Sequence, residues 1–224
     1  RTLRQKLDVW RRLPQLEVAR IGKEIAIGLC QMHANEILHR DLKPSNVLLD
    51  SERRESVRIA DFGLGFHEEF LCGDDLSLNR IVGTFQYLAP ERWDGDRASG
   101  ANADLFSLGC ILYESLTGQK PFSNEPFASV REEPCHPREY VSGLDLGLCD
   151  IVMQLIEKEP DKRFASSQHC HYALQFLMRS LASGRSSTRI ESPSISSEQI
   201  RRCLHNLGGA CSEIPAEWCH GRSG

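Results

Sequence analysis

The stretch His39-Arg40-Asp41-Leu42-Lys43-Pro44-Ser45-Asn46-Val47-Leu48-Leu49 sets a charge-dense polar run directly against an apolar one. Such a junction reads as a loop that empties into a short buried strand. Asp41 and Lys43 lie two apart and Asn46 three further on. That spacing can offer one open pocket a carboxylate base, a cation and an amide able to ligate a metal. Beyond Leu49, the charged run Asp50-Ser51-Glu52-Arg53-Arg54-Glu55-Ser56 separates Val47–Leu49 from a second apolar run, Val57–Ala60. The two runs read as a β-hairpin with a solvated tip. The second strand empties into Asp61-Phe62-Gly63, which brings another carboxylate to the same pocket. Carboxylate and amide oxygens of this kind suit a hard divalent cation.

Helical signals surround the hairpin. Between Leu16 and Met32, the residues Val18, Ile21, Ile25, Leu29 and Met32 recur at three- and four-residue steps, the signature of an amphipathic helix. Asn35 reads as its left-handed stop, and Ile37-Leu38 lead into His39. The run from Asp104 to Leu116 is apolar nearly all round, closes at Gly118 and Pro121, and belongs in the middle of the domain. Asp104 is its exception, because a buried carboxylate is costly unless it accepts hydrogen bonds. Leu148, Ile151, Val152, Leu155 and Ile156 make another helix, expected to end at Pro160, and a further one covers Gln168 to Leu181. The fold class expected is mainly α with a small β-hairpin region.

The chain has 224 residues, a formal net charge of −4 and 40% hydrophobic content, enough for one sizeable domain plus a tail. Mild acidity gives no argument for a nucleic-acid partner. Nine cysteines, an odd number without a pairing pattern, suit a reducing cytoplasmic or nuclear setting. No apolar run approaches the roughly 20 residues that cross a membrane, and no signal peptide is evident. The chain opens on Arg1 rather than Met, as a piece of a longer protein would. Residues 1–181 read as one domain and 182–224 as a Ser-rich flexible tail, with spacing for a short helix near 197–207. The tail's cysteines and histidines invite a zinc reading, but no Cys-x-x-Cys pair is present to support it.

His39–Leu49 resembles the catalytic loop of the eukaryotic protein kinase family. Asp61-Phe62-Gly63 strengthens the likeness, and Gly83-Thr84-Phe85-Gln86-Tyr87-Leu88-Ala89-Pro90-Glu91 resembles the end of a kinase activation segment. The likeness covers roughly residues 1–180 and concerns the large C-terminal lobe (C-lobe) alone. Thr2–Leu7 is similar to the short helix after the hinge between lobes. Nothing before His39 offers a glycine-rich loop, a Val-Ala-Ile-Lys-type strand or the helix bearing its glutamate partner, so the small N-lobe is expected to be absent from these residues.

The resemblance implies roles and cofactors, namely ATP and Mg²⁺. Asp41 would orient the acceptor hydroxyl and take its proton, and Lys43 would place positive charge on the transferring phosphate. Lys43, Ser45, Asn46, Leu48 and Asp61 would bind the nucleotide, Leu48 as the floor under the adenine. Asn46 and Asp61 would hold Mg²⁺. Thr84 would brace Asp41 and Lys43. Glu91 would pair with Arg163, and Asp104 would accept from the backbone around His39 and Arg40. Lys43 and Thr84 point to the serine/threonine class, so the implied partners are protein Ser/Thr substrates. Ser45 stands where many arginine-directed kinases carry glutamate, while Glu114 matches another such carboxylate. The acidic run through Glu68, Glu69, Asp74 and Asp75 reads as either a solvated loop or a regulatory one, with Ser77 as its candidate phosphorylation site. A kinase-fold scaffold without catalysis is the alternative. The intact Asp41, Asn46 and Asp61 speak against it and the missing clamp speaks for it.

Overall fold

In the computed structural model, which describes residues 1–50, 56–61, 85–93 and 100–182, helix α1 (Leu3–Trp10) starts from a reciprocal cap. The Thr2 hydroxyl accepts from the Gln5 amide and the Gln5 side chain accepts from the Thr2 amide, satisfying two donors that helix geometry leaves unpaired. Helix α2 (Gln15–His33) realises the amphipathic pattern, with Val18, Ile21, Ile25 and Leu29 wholly buried along one face. The left-handed residue after it is Glu36 (φ 58°) and not Asn35. Asn35 instead turns its side-chain amide back onto the Gln31 carbonyl at 2.7 Å. That bond satisfies one of the carbonyls the last turn leaves open.

Strands β1 (Val47–Leu49) and β2 (Val57–Ile59) pair antiparallel, with Val47 opposite Ile59 and Leu49 opposite Val57. Strand alternation buries Val47 and Leu49 and turns Leu48 outward. The Leu49 amide also donates to the Arg1 carbonyl at 2.8 Å, so the start of the chain runs beside β1. This hairpin is the only sheet among the described residues, and its expected tip, residues 51–55, lies outside them.

Helix α3 (Ala101–Thr117) is the axis of the core: every residue from Ala103 to Thr117 is buried. Each fully buried Leu, Ile or Phe there stabilises the fold by about 1.5–3 kcal/mol over its exposed state. Gly109 lets α3 approach its neighbour, since a Cβ there would lie 2.6 Å from Leu155 Cβ and 2.7 Å from Ile156 Cγ2. Gly118 ends α3 in a left-handed cap (φ 73°), a conformation that glycine adopts without penalty.

Short helices α4 (Ala128–Arg131) and α5 (Pro137–Tyr140) lead to α6 (Leu146–Leu155), whose first turn is capped by the Asp145 carboxylate. This helix stops at Leu155, before the Pro160 stop expected from sequence; Pro160 instead opens a separate 3₁₀ turn, Pro160–Lys162. Proline suits the first position of such a turn, where its missing N–H is not needed. Helix α7 (Ser167–Ala182) packs along α2 in the most extensive helix pair. The described residues all fall in a unit spanning Arg1–Arg189. The expected tail beyond Ala182, with its helix near 197–207, lies outside them.

Candidate active site

The loop between α2 and β1 is held from beneath by Asp104, at the buried start of α3. Its Oδ2 accepts from the His39 amide and its Oδ1 from the Arg40 amide, both at 2.9 Å. Oδ2 also faces His33 Nε2 at 2.9 Å. A carboxylate only accepts, so Nε2 carries the proton. Burial by itself pushes the Asp104 carboxyl up, but the His33 and backbone hydrogen bonds outweigh it and hold the group below the usual carboxylate range. The sequence implied the two backbone bonds. It did not show His33, whose only mark was its place in the last turn of α2.

His39 fastens the loop to the hairpin. It is wholly buried, its Nε2 lies 3.0 Å from the Ala60 carbonyl, and its Nδ1 accepts from the Asp41 amide at 3.3 Å. Those contacts assign the Nε2-protonated tautomer. Arg40 and Asp61 both take left-handed backbone (φ 67° and 57°). Non-glycine residues there cost of order 1–2 kcal/mol each and persist only where their surroundings over-determine them. For Arg40 that surrounding includes the Asp104 bond to its own amide.

Above this base, Asp41, Lys43 and Asn46 converge. Asp41 Oδ2 pairs with Lys43 Nζ at 2.7 Å. Asn46 Nδ2 donates to the Asp41 carbonyl at 2.8 Å and lies 3.4 Å from Asp41 Oδ2. The remaining carboxylate oxygen, Asp41 Oδ1, is buried and has no hydrogen-bond partner among the described residues. A buried acceptor left unpaired costs about 1–3 kcal/mol, and an incoming O–H donor would recover that.

Asn46 is fixed by a turn at Pro44–Asn46, which leaves Ser45 exposed with its Oγ 3.4 Å from Asn46 Oδ1. The Ala60 amide donates to the Asn46 carbonyl at 2.8 Å, so Asp61, the next residue, follows directly from that pairing. Leu48, 39% exposed on the outer face of β1, is an apolar platform on the same element. The six site residues read from the sequence thus belong to one loop and the hairpin it enters. Phe62, Gly63, Ser77 and Thr84 lie outside the described residues.

No group of three or more His, Cys, Asp or Glu among the described residues could hold a metal ion by itself. Mg²⁺ is characteristically bound by one or two carboxylates together with substrate phosphates and water. The Asp61 carboxylate and the Asn46 side-chain oxygen fit that partial donor set.

Two further carboxylates flank the site with different duties. Glu91 and Arg163 form the expected fork: Nη1 to Oε1 at 2.6 Å and Nη2 to Oε2 at 2.8 Å. The Arg163 side chain is wholly buried, and it also donates to the carbonyls of Glu157, Lys158 and Asn102. Glu114, expected from the resemblance to be open to a basic substrate residue, has both oxygens taken. Oε1 binds Arg4 Nη2 at 2.7 Å and Oε2 accepts from the Tyr87 hydroxyl at 2.6 Å. Burial, with Glu114 beside it, pushes the Tyr87 phenol far above its ordinary value, so it remains a donor.

The family model for the protein kinase domain matches residues 2–175. Among curated proteins, the serine/threonine-protein kinase PknB of Mycobacterium leprae is 30% identical over 204 residues, covering 86% of this chain and 30% of that protein. PknB of Mycobacterium tuberculosis is 33% identical over 153 residues, covering 64% of this chain and 24% of that protein. A probable serine/threonine-protein kinase of Streptomyces coelicolor is 34% identical over 179 residues, covering 74% of this chain and 25% of that protein. The chain therefore spans less than a third of the length of these curated relatives.

Proposed function

The chain belongs to the protein kinase family, and from that premise we propose that it supplies the acceptor side of a transfer of the ATP γ-phosphate to protein serine or threonine hydroxyls. The observation that carries this reading is the Asp41 carboxylate, with Oδ2 held by Lys43 and Oδ1 buried and unpartnered. An acceptor hydroxyl donating to Oδ1 would be oriented as well as relieved of its proton. As its oxygen forms a bond to the γ-phosphorus, the bond from that phosphorus to the ADP oxygen breaks and the proton passes to Asp41. Lys43, two residues on, sets its charge beside the developing negative phosphate. Asn46 and Asp61 would hold Mg²⁺, which supplies charge neutralisation to the phosphates when bound. Leu48 would carry the adenine on its exposed face, with Ser45 at the pocket edge. Asp41 proton transfer of this type contributes about 10²–10⁴-fold.

Residues 1–224 contain no glycine-rich loop or Val-Ala-Ile-Lys strand, so by themselves they are expected to transfer little phosphate. The test uses the whole protein, with γ-labelled ATP, Mg²⁺ and a serine peptide. Transfer is expected, and Asp41→Asn should lower it by about 10²-fold or more. A whole protein that transfers nothing, or that is indifferent to Asp41→Asn, would overturn the reading and leave a non-catalytic scaffold. Robust transfer by residues 1–224 alone, sensitive to Asp41→Asn, would refute the need for the further clamp.

A further inference from the structure

Ser166 and Ser167 stand side by side at the start of α7 and do different things. Ser166 precedes the helix and caps it: its Oγ accepts from the His169 amide at 3.3 Å and lies 2.7 Å from His169 Nδ1. Ser167 has no part in that cap. It is buried, 2% exposed, and its Oγ lies 2.8 Å from His33 Nδ1, across the packed faces of α7 and α2.

His33 therefore has both ring nitrogens engaged, Nδ1 by Ser167 and Nε2 by Asp104. With Nε2 donating to the carboxylate, the neutral ring presents Nδ1 as an acceptor, and the serine hydroxyl is then the donor that satisfies it. The ring is thereby fixed in plane and tautomer. Asp104 in turn holds the amides of His39 and Arg40, and Arg40 is left-handed immediately before Asp41. A continuous run of hydrogen bonds thus leads from α7 to the strained peptide that aims the candidate base.

We propose that Ser167 is a positioning residue for the catalytic loop, acting through His33 and Asp104 on the backbone that presents Asp41. Its purpose rests on the phosphotransfer reading above, but its geometry does not. Without the hydroxyl, His33 Nδ1 loses its donor in a largely buried interface, the ring is free to tilt, and one of the two bonds at Asp104 Oδ2 loosens. A polar network satisfied at every member is rigid, and one missing member weakens its neighbours.

The experiment reads the loop directly, without nucleotide, so its failure is separable from failure of the kinase assignment. Amide hydrogen exchange is followed by NMR in ¹⁵N-labelled residues 1–224, in wild type, Ser167→Ala and Ser167→Thr. Ser167→Ala is expected to speed exchange at His39 and Arg40 by about tenfold, equivalent to roughly 1.4 kcal/mol, while Leu108 and Ile111 in α3 keep their rates. Ser167→Thr, which restores a hydroxyl, is expected to return both amides toward wild type. Unchanged exchange at His39 and Arg40 would overturn the proposal. So would a uniform acceleration across α3 and the loop, which would mark Ser167 as ordinary core. Should threonine not fit, the His33 imidazole nitrogens decide. In Ser167→Ala the Nδ1 resonance is expected to move toward that of a free acceptor while Nε2 stays protonated, and an unmoved Nδ1 would overturn the proposal.

Discussion

Asp104 and Asp41 lie at the bottom and the top of one short loop, and the fold treats them in opposite ways. Asp104 is 2% exposed and accepts from His33, His39 and Arg40, so both of its oxygens are occupied by donors. Asp41 is tied through one oxygen to Lys43, while the other is buried and unpaired among the described residues. The Glu91–Arg163 fork belongs with Asp104, saturated and buried. Asn46, Asp61 and Leu48 belong with Asp41. The foundation gains stability from complete pairing, whereas the rim leaves pairing incomplete where a ligand would finish it. Carboxylates of one chemical type thus divide into structural and reactive ones by the donors that the fold sends to them.

Breaking the foundation should have the largest effect. Glu91→Ala strands the fully buried Arg163 guanidinium, and loss of about 3–5 kcal/mol of unfolding free energy is expected. Denaturant melts of residues 1–224 measure it. A loss below about 1 kcal/mol, the range of a surface pair, would move this pair from the foundation to the rim.

An intermediate effect is expected from acid. The Asp104 carboxyl is held low in the folded chain, whereas an unfolded aspartate titrates near 3.9. As pH falls, the unfolded chain takes up this proton first. The stability Asp104 contributes is therefore complete above the unfolded value and lost as pH drops through the folded one. Asp104→Asn should cost about 1.5–3 kcal/mol near neutrality and should flatten the acid limb of stability against pH. An acid limb as steep in the variant as in wild type would show that Asp104 is not the group concerned.

The smallest stability effect should come from the rim. Asp61→Asn, at an exposed position, is expected to shift unfolding free energy by less than about 0.5 kcal/mol, as surface substitutions away from packed or saturated sites do. A stability loss from Asp61→Asn that matched Asp104→Asn would erase the distinction between the two regions.

Much of this was legible in the sequence because it was local. Periodic apolar residues marked α2, an all-round apolar run marked α3, and the charged gap between two short apolar runs marked the hairpin. Asp41, Lys43, Ser45, Asn46, Leu48 and Asp61 were read from their spacing and from a family likeness, and one loop and its hairpin carry them all. Local reading failed where a side chain's partner decided the outcome. Asn35 looked like a left-handed stop, yet its amide found the Gln31 carbonyl and Glu36 took that conformation. Pro160 looked like the end of α6 but opened a turn of its own.

By itself, then, the sequence determined where the long helices α2, α3, α6 and α7 and the hairpin lie, and which residues could carry a base, a cation and metal-binding oxygens, because periodicity and motif spacing are properties of neighbours along the chain. Only the tertiary structure decided which polar groups are satisfied. It joined His33 to Asp104 and Ser167, and it closed Glu114 between Arg4 and Tyr87. It also left Asp41 Oδ1 without a partner among the described residues. Whether a buried polar atom has a partner depends on residues far apart in sequence brought within 3 Å or so of it, and no local pattern encodes that distance.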